Sequence, residues 1–210
     1  MAVLGDIHGR YSLFKSLIEK MTSLDGWQDV QVVLLGDLVD RGSRSRDVID
    51  LAMTSGHIAL KGNHEEMMLD FLNGISRRWL EHGGAETLES FGLTLSATPE
   101  DLHAALGEER LAWLNTMPTS YLNGNILLAH AGGDPGAPPD DQPEEALLWG
   151  VRGGPTARKD GVFVVHGHYA RRSAKRSAGI LNLDSGAAYG GPLSAALIAE
   201  GHLEIIEAGP

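Results

Sequence analysis

Cysteine is absent from this chain of 210 residues. Its absence excludes disulfide bonds, metal sites built on thiolates and a cysteine nucleophile. The sequence also has no apolar run long enough to span a membrane, and no basic segment followed by an apolar stretch of signal-peptide length opens it. We therefore expect a cytoplasmic protein that has no membrane partner.

Positive charge is scarce, because 17 Lys and Arg residues stand against 28 Asp and Glu residues and give a formal net charge of -11. An acidic surface argues against non-specific binding to nucleic acids, so we expect no nucleic-acid partner. Hydrophobic residues make up 42 % of the chain and charged residues 21 %, values typical of soluble globular proteins. The length predicts a single domain over residues 1–210, and no pattern indicates an oligomeric state.

Three loops carry most of the reactive side chains, at residues 5–10, 36–42 and 62–65. Each loop follows a short apolar run and precedes a stretch with helical periodicity, which predicts strand, loop and helix three times over. Such an alternation favours an α/β fold with parallel strands and right-handed crossovers. Sites in open α/β sheets form at the carboxyl ends of the strands, so the loops should converge on one crevice.

Apolar periodicity predicts helices over residues 11–21, with Ser12 as the N-cap, and over residues 47–53. The second and third strands are predicted over residues 31–35 and 57–60. These elements place the three polar loops at the ends of consecutive strands.

Residues 65–117 have a different character and predict a helical insert that covers one side of the site. Within this insert Thr98-Pro99 is a helix start, because Pro is favoured at the first helical position. We interpret Trp79 and Trp113 as core residues.

The second half predicts a hairpin over residues 120–129, with a type I′ turn at Asn123-Gly124. The hairpin ends at His130, and a further strand over residues 162–165 leads to His168. The remaining segments are a loop at residues 132–145 and three closing strands, interpreted as antiparallel, at residues 180–183, 193–199 and 202–206.

Asp, His and Asn side chains without cysteine form a ligand set for Mn²⁺, Fe²⁺ or Zn²⁺. Asp6 and His8 lie on one turn, and Asp37 from the next strand can bridge two ions. Two ions about 3.5–4 Å apart can clamp a phosphate and hold the attacking oxygen. The other candidate metal ligands are Asn63, His130 and His168.

A leaving group also needs a proton, and His64 is placed beside Asn63 to give it. Asp40 can orient His64, in the arrangement of a general acid held by a carboxylate. Arg41 follows directly and can fork onto phosphate oxygens. No serine in a G-x-S-x-G elbow is present, so attack by a metal-bound hydroxide is expected.

The three loop motifs resemble those of the phosphoprotein-phosphatase family of metallophosphoesterases, in its compact bacterial or phage type. GDIHG at residues 5–9, GDLVDRG at 36–42 and GNHE at 62–65 carry the resemblance, which extends over the whole chain. It implies a calcineurin-like β-sandwich of mixed sheets flanked by helices. It also implies two divalent metal ions, Mn²⁺ first, with Fe or Zn as alternatives.

The resemblance further implies individual roles. One metal would be held by Asp6, His8 and Asp37, and His64 with Asp40 would be the acid pair. The other metal would be held by Asp37, Asn63, His130 and His168, and the substrate phosphate by Arg41, Asn63 and Arg152, the last of which follows Leu147-Leu148-Trp149.

Two features have alternative interpretations. His166 either supports the metal ligands without binding a metal itself or is a packed histidine. The basic run at residues 171–176 is either a solvated loop or a positive rim that attracts an anionic substrate.

Three functions remain open. The first is metal-dependent hydrolysis of phosphoserine and phosphothreonine in proteins, with a phosphoprotein or phosphopeptide as the partner. The second is hydrolysis of dinucleoside polyphosphates such as diadenosine tetraphosphate at the same site, by symmetrical cleavage. The third is a non-catalytic module that senses phosphate or binds a partner.

Overall fold

Two five-stranded sheets form the frame of the protein in a computed structural model, which describes residues 1–24 and 26–209. The strand order is β10-β9-β1-β2-β3 in the first sheet and β4-β5-β6-β8-β7 in the second. The strands are β1 (Ala2–Leu4), β2 (Val32–Leu34), β3 (Ile58–Ala59), β4 (Ser120–Asn123), β5 (Ile126–Ala129), β6 (Phe163–His166), β7 (Lys175–Ser177), β8 (Ile180–Asn182), β9 (Leu193–Ala199) and β10 (His202–Ala208).

Six α-helices connect and cover these strands in the described part of the chain. Three short 3-10 helices lie at Trp27–Asp29, Arg78–His82 and Ala187–Tyr189. The α-helices are α1 (Tyr11–Thr22), α2 (Ser45–Thr54), α3 (Asn63–Leu72), α4 (Gly84–Ser90), α5 (Pro99–Asn115) and α6 (Glu144–Leu148).

The predicted parallel arrangement of the first three strands is confirmed. Strand β1 pairs in parallel with β2, and β2 with β3, while β9 and β10 close the sheet on the other side in antiparallel pairing. Each β-α-β connection therefore delivers its polar loop to the same edge of the sheet.

Two apolar layers hold the sandwich together. The layer between the sheets contains Val3, Val33 and Ala196 from the first sheet and Val165 and Leu181 from the second. The other layer lies between the first sheet and the helices, which bury an apolar stripe at the spacing of a helical turn. Strand β1 is buried on both faces, as its continuously apolar sequence predicts.

The second sheet differs from the sequence prediction in its pairing. The strand predicted at residues 180–183 as antiparallel is β8, which pairs in parallel with β6. The basic run predicted as a loop or a rim contributes β7, an exposed edge strand antiparallel to β8. A short strand of charged residues carries no apolar alternation, so its pairing is set by its neighbour and not by its own pattern.

Two local predictions were also wrong. The hairpin at β4 and β5 is present, but its two-residue turn is Gly124-Asn125 and only Gly124 has a positive φ, of 59°. A type I′ turn needs positive φ at both positions, so the type I′ assignment fails. Helix α1 begins at Tyr11, with Arg10 and not Ser12 at its N-cap.

The helical insert is confirmed as several short helices, from α3 to α5. Helix α5 starts at Thr98-Pro99 with reciprocal capping between Thr98 and Asp101, and its chain breaks at Gly107 (φ 75°, ψ 161°). None of the helices described here is both long and apolar enough to cross a membrane.

Gly5 follows β1 in the first sheet and lies against Leu183, which follows β8 in the second sheet. A Cβ atom at this position would overlap the carbonyl oxygen of Leu183 at the end of β8. We expect Gly5→Ala to lower the free energy of unfolding by about 1–3 kcal/mol, the usual cost of forcing extra atoms into a packed interior. Denaturant unfolding measures this loss.

Gly136→Ala is the matched control, since the nearest atom to its added Cβ would be a side-chain oxygen of Asp134 at 3.3 Å. It should change the unfolding free energy much less than Gly5→Ala does. Equal losses in the two variants would show that the close approach at Gly5 does not constrain the sheets.

Candidate active site

The three polar loops converge at the carboxyl ends of β1, β2 and β3, as predicted. Backbone strain is concentrated there, because every non-glycine residue with positive φ in the described chain belongs to the predicted site: His8, Asp37, Asp40, Arg41 and His168. Such conformations are costly for residues with a Cβ and persist where surrounding contacts impose them. The strain therefore marks the same place as the motifs.

Four ligand atoms meet around Asn63. Its Oδ1 lies 2.9 Å from His130 Nε2 and 3.0 Å from His168 Nδ1, and the same His130 Nε2 lies 3.3 Å from Asp37 Oδ1. The Nδ1 of His130 donates to the carbonyl of Leu35 at 3.0 Å, which leaves a lone pair on Nε2 in the neutral ring. Burial lowers the pKa of His130, so the neutral ring is favoured.

A second group surrounds His8. Its Nδ1 donates to the carbonyl of Val39 at 2.9 Å, so its Nε2 presents a lone pair 3.4 Å from Asp37 Oδ2. The Arg41 guanidinium donates to this Nε2 at 2.8 Å. Burial lowers the pKa of His8 to about 3. Asp6 is also buried and accepts from the backbone N–H of His168 at 3.0 Å.

These groups fit divalent cations. His130 Nε2 lies close to both Asn63 Oδ1 and Asp37 Oδ1. All three atoms present lone pairs, and none of them carries a hydrogen that could bridge to another. A cation bound among them would stabilise this arrangement. Ligand atoms within 4.8 Å of one another form two sets, His8 with Asp37 and His64, and Asp6 with Asp37 and His130.

Asp37 belongs to both sets, which suits a carboxylate that bridges two ions. Burial alone would raise its pKa, but His130, His64 and His8 together lower it, so Asp37 is held ionised. For Asp6, burial and the charges of Asp184 and Asp37 raise the pKa, which a bound cation would offset. The division of individual ligands between the two ions stays a prediction.

Glu65 organises the loop around Asp37, a role that the sequence analysis did not assign. Its buried carboxylate accepts from the backbone N–H groups of Asp37 at 2.9 Å, Leu38 at 2.8 Å and Gly62 at 2.8 Å. Burial raises the pKa of Glu65 to about 7, while these donors favour the ionised form. The carboxylate thus ties the loop after β2 to the start of α3.

His64 and Asp40 form the expected pair, with His64 Nδ1 2.6 Å from Asp40 Oδ2. Both side chains are buried. Burial would lower the pKa of His64, but Asp37 and Asp40 raise it, so the ring holds its proton more firmly than a free histidine. The other ring nitrogen, Nε2, lies 3.9 Å from Asp37 Oδ2 and faces the proposed metal ligands.

The helical insert supplies two further donors to the Asp40 carboxylate. Trp79 Nε1 donates to its two carboxylate oxygens at 2.8 and 3.0 Å, and Thr87 Oγ1 donates to Oδ1 at 2.7 Å. Trp79 is fully buried, as predicted for a core residue, but the prediction missed its hydrogen bond. An indole N–H buried among apolar residues needs an acceptor, and that requirement was the available signal.

Arg152 is the one proposed site residue that the structure does not bring into contact with the cluster. Its side chain is exposed, and no hydrogen bond or ion pair joins it to the other described residues. His166 is buried with its Nδ1 near the carbonyl of Gly167 at 2.8 Å, the contact of a packed histidine. Its ring and that of His168 each meet the edge of Tyr169.

Comparison with known proteins agrees with this geometry. The profile of the calcineurin-like phosphoesterases matches residues 1–202. The chain belongs to the calcineurin-like phosphoesterase family. The expected α/β sandwich and the expected membership of the phosphoprotein-phosphatase type of metallophosphoesterase are thereby confirmed, as is a hydrolase activity.

Similar members of the family carry two kinds of name. Serine/threonine-protein phosphatase 1 of Salmonella typhimurium is 31 % identical, over 93 % of this chain and 90 % of that protein. The symmetrical bis(5'-nucleosyl)-tetraphosphatase of Methylococcus capsulatus is 32 % identical, over 61 % of this chain and 41 % of that protein. A crystal structure provisionally named a diadenosine tetraphosphatase is 25 % identical with a TM-score of 0.74, over 99 % of this chain and 92 % of that one.

Trp79→Phe should slow this phosphoesterase because it removes one donor to Asp40 and keeps a packed ring. A hydrogen bond to a charged group contributes about 1.5–3 kcal/mol, so we expect kcat on an alkyl phosphomonoester to fall roughly tenfold or more. The loss should be smaller on p-nitrophenyl phosphate, whose leaving group needs less help from a proton. Steady-state rates on both substrates measure the difference.

Trp113→Phe is the matched control, since Trp113 packs against the same core without contacting Asp40. Because Trp113 is only partly buried, it should lower stability no more than Trp79→Phe does, and it should leave the dependence on leaving group unchanged. If Trp79→Phe slowed both substrates equally, Trp79 would be a packing residue only.

Proposed function

We propose that this phosphoesterase hydrolyses phosphoserine and phosphothreonine in proteins, with two divalent metal ions as cofactors and Mn²⁺ as the first candidate. The observation that carries this proposal is the sequence similarity to the Salmonella serine/threonine-protein phosphatase, which extends over 93 % of this chain and 90 % of that protein. A substrate carrying phosphate also suits the cluster, because two divalent cations would exceed the negative charge of Asp6 and Asp37.

The proposed metal ligands are Asp6, His8, Asp37, Asn63, His130 and His168, brought together as described above. When bound, the two ions would supply positive charge for the phosphate and lower the pKa of a coordinated water. The chain's part is to hold these donors rigidly, and the hydrogen bonds from His8 and His130 to backbone carbonyls fix which nitrogen of each ring is available.

His64 is the proposed general acid. Asp40 holds its Nδ1 proton and leaves Nε2 directed at the cluster, from where it can give a proton to the departing seryl or threonyl oxygen. Arg41 lies beside His8 and is proposed to bind two phosphate oxygens once released from that ring. Asn63 can add its amide N–H, whereas Arg152 would reach the phosphate only after its exposed side chain moved.

A second candidate function is symmetrical hydrolysis of dinucleoside polyphosphates. The crystal structure provisionally named a diadenosine tetraphosphatase favours it, because that likeness also extends over both chains. The symmetrical enzyme of Methylococcus favours it less, since the match covers 41 % of that protein. A non-catalytic module is disfavoured, because both His64 and Asp40 are present and hydrogen-bonded.

One comparison of rates decides between the two enzymes. The Mn²⁺-loaded protein is assayed on a phosphothreonine peptide and on diadenosine tetraphosphate, and we expect a much larger kcat/KM on the peptide. Chromatography of the nucleotide products would identify symmetrical cleavage by ADP alone. A larger kcat/KM on the nucleotide would replace the proposed function with the second candidate.

His64→Asn should lower kcat on the phosphothreonine peptide by roughly 10²–10⁴-fold, the usual contribution of a general acid. Its metal content, measured by atomic emission, should stay at the wild-type value because Asn63 and the other ligands remain. His103→Asn on the exposed face of α5 is the control and should change neither quantity. An unchanged rate in His64→Asn would remove this residue from the mechanism.

A further inference from the structure

Two exposed aromatic side chains from different elements contact residues that neighbour the proposed acid pair and metal ligands in the chain. Among the large apolar residues that stand exposed in residues 1–24 and 26–209, the aromatic ones are Trp149, at 42 %, and Tyr189, at 70 %. Tyr189 lies against the Arg41 guanidinium, whose Cζ is 5.5 Å from the centre of the ring. Trp149 donates through its indole N–H to Glu66, which lies in the first turn of α3 just after His64.

The sheet order places these two aromatics at opposite ends of the site. Tyr189 precedes β9, and Glu66 follows β3, while β1 and β2 lie between these strands and carry Asp6 and Asp37 at their ends. Three inter-strand spacings separate β9 from β3, which is about 14 Å. An extended peptide covers this distance with about four residues.

The Tyr189 end is basic. Arg10 and Arg44 line a cavity of about 290 Å³ there, together with residues of the loop that carries Tyr189. Arg10 donates from Nη2 to the carbonyl of Ala188 at 2.7 Å, and its buried Nε has no acceptor among the described residues. Arg44 is paired with Asp47 at 2.7 Å. With Arg41, which lies against Tyr189, three guanidinium groups therefore gather at this end.

The Trp149 end is acidic. A groove of about 540 Å³ is lined there by Trp149, by the carboxylates of Glu66, Glu144 and Glu145, and by Arg78. Burial and the nearby charges of Asp70 and Glu144 raise the pKa of Glu66, against the hydrogen bond from Trp149. Arg152 follows Trp149 in the chain but does not line this groove. Three carboxylates therefore outnumber the one guanidinium, that of Arg78, that lines this groove.

We propose that the surface between the Tyr189 cavity and the Trp149 groove binds an extended phosphopeptide whose acidic residues lie at the Tyr189 end and whose basic residues lie at the Trp149 end. This inference rests on the proposed function and adds its substrate preference. The aromatic rings would pack against side chains flanking the phosphorylated residue, and opposite charges at the two ends would set the direction of the peptide. A dinucleoside polyphosphate fits less well, because its phosphates would approach the carboxylates around Trp149.

Two phosphothreonine peptides of equal composition test the charge order. In one, glutamates lie on one side of the phosphothreonine and lysines on the other, and in the second the same residues alternate on both sides. Because the ion pairs at the two ends act together only when the charges are separated, we expect kcat/KM on the metal-loaded protein to be roughly tenfold higher for the first peptide. Added salt should reduce the ratio. Equal values for the two peptides would overturn the inference.

Charge reversal at the Trp149 end identifies the residues responsible. The double variant Glu144→Lys, Glu145→Lys should bring the ratio between the two peptides close to one. The control is Glu108→Lys, Glu109→Lys, the same change of charge on the exposed face of α5, which should keep the wild-type ratio. A ratio retained in Glu144→Lys, Glu145→Lys would overturn the assignment of this end.

Substitution of Tyr189 gives a test that does not depend on the fold of α6. Tyr189→Ala should raise KM for the preferred peptide several-fold, whereas Tyr189→Phe keeps the ring and should stay near the wild type. An equal KM in Tyr189→Ala would contradict a peptide contact at this end. Hydrolysis of diadenosine tetraphosphate without hydrolysis of either peptide would instead refute the proposed function itself, a result distinct from equal peptide rates.

Discussion

The Glu65 carboxylate is the contact on which the site depends. It accepts backbone N–H groups from Asp37, Leu38 and Gly62, and so joins the loop after β2 to the loop after β3. A Cβ at Gly62 would overlap Asp37, which explains why glycine stands there. With both loops fixed, Asp37 can take its positive φ of 51° and direct its oxygens at histidines from both sheets.

The helical insert supplies hydrogen bonds to the proposed acid pair as well as helices to the fold. Asp40 has no exposed surface and receives hydrogen bonds from His64, Trp79 and Thr87. Two of these partners come from residues 78–90, which a description limited to the three motifs would omit. A buried carboxylate without such donors would be destabilised in its ionised form and could not orient a histidine reliably.

Positive and negative side chains are separated at the two ends of the site, which the formal net charge does not reveal. The chain carries a formal charge of -11, yet Arg10, Arg41 and Arg44 gather beside Tyr189. Carboxylates gather instead beside Trp149. A cleft with opposite charges at its ends recognises direction as well as sequence, because a reversed ligand meets like charges at both ends. The proposed metal ligands lie between these two ends.

The sequence by itself determined the parallel strands and the residues that meet at their ends, because apolar periodicity and loop chemistry are local signals. It located Asp6, Asp37, Asn63 and His64 for that reason. Only the tertiary structure decided that Trp79 contacts Asp40, and that β8 runs parallel to β6. These facts depend on contacts between residues distant in sequence, which no local pattern encodes.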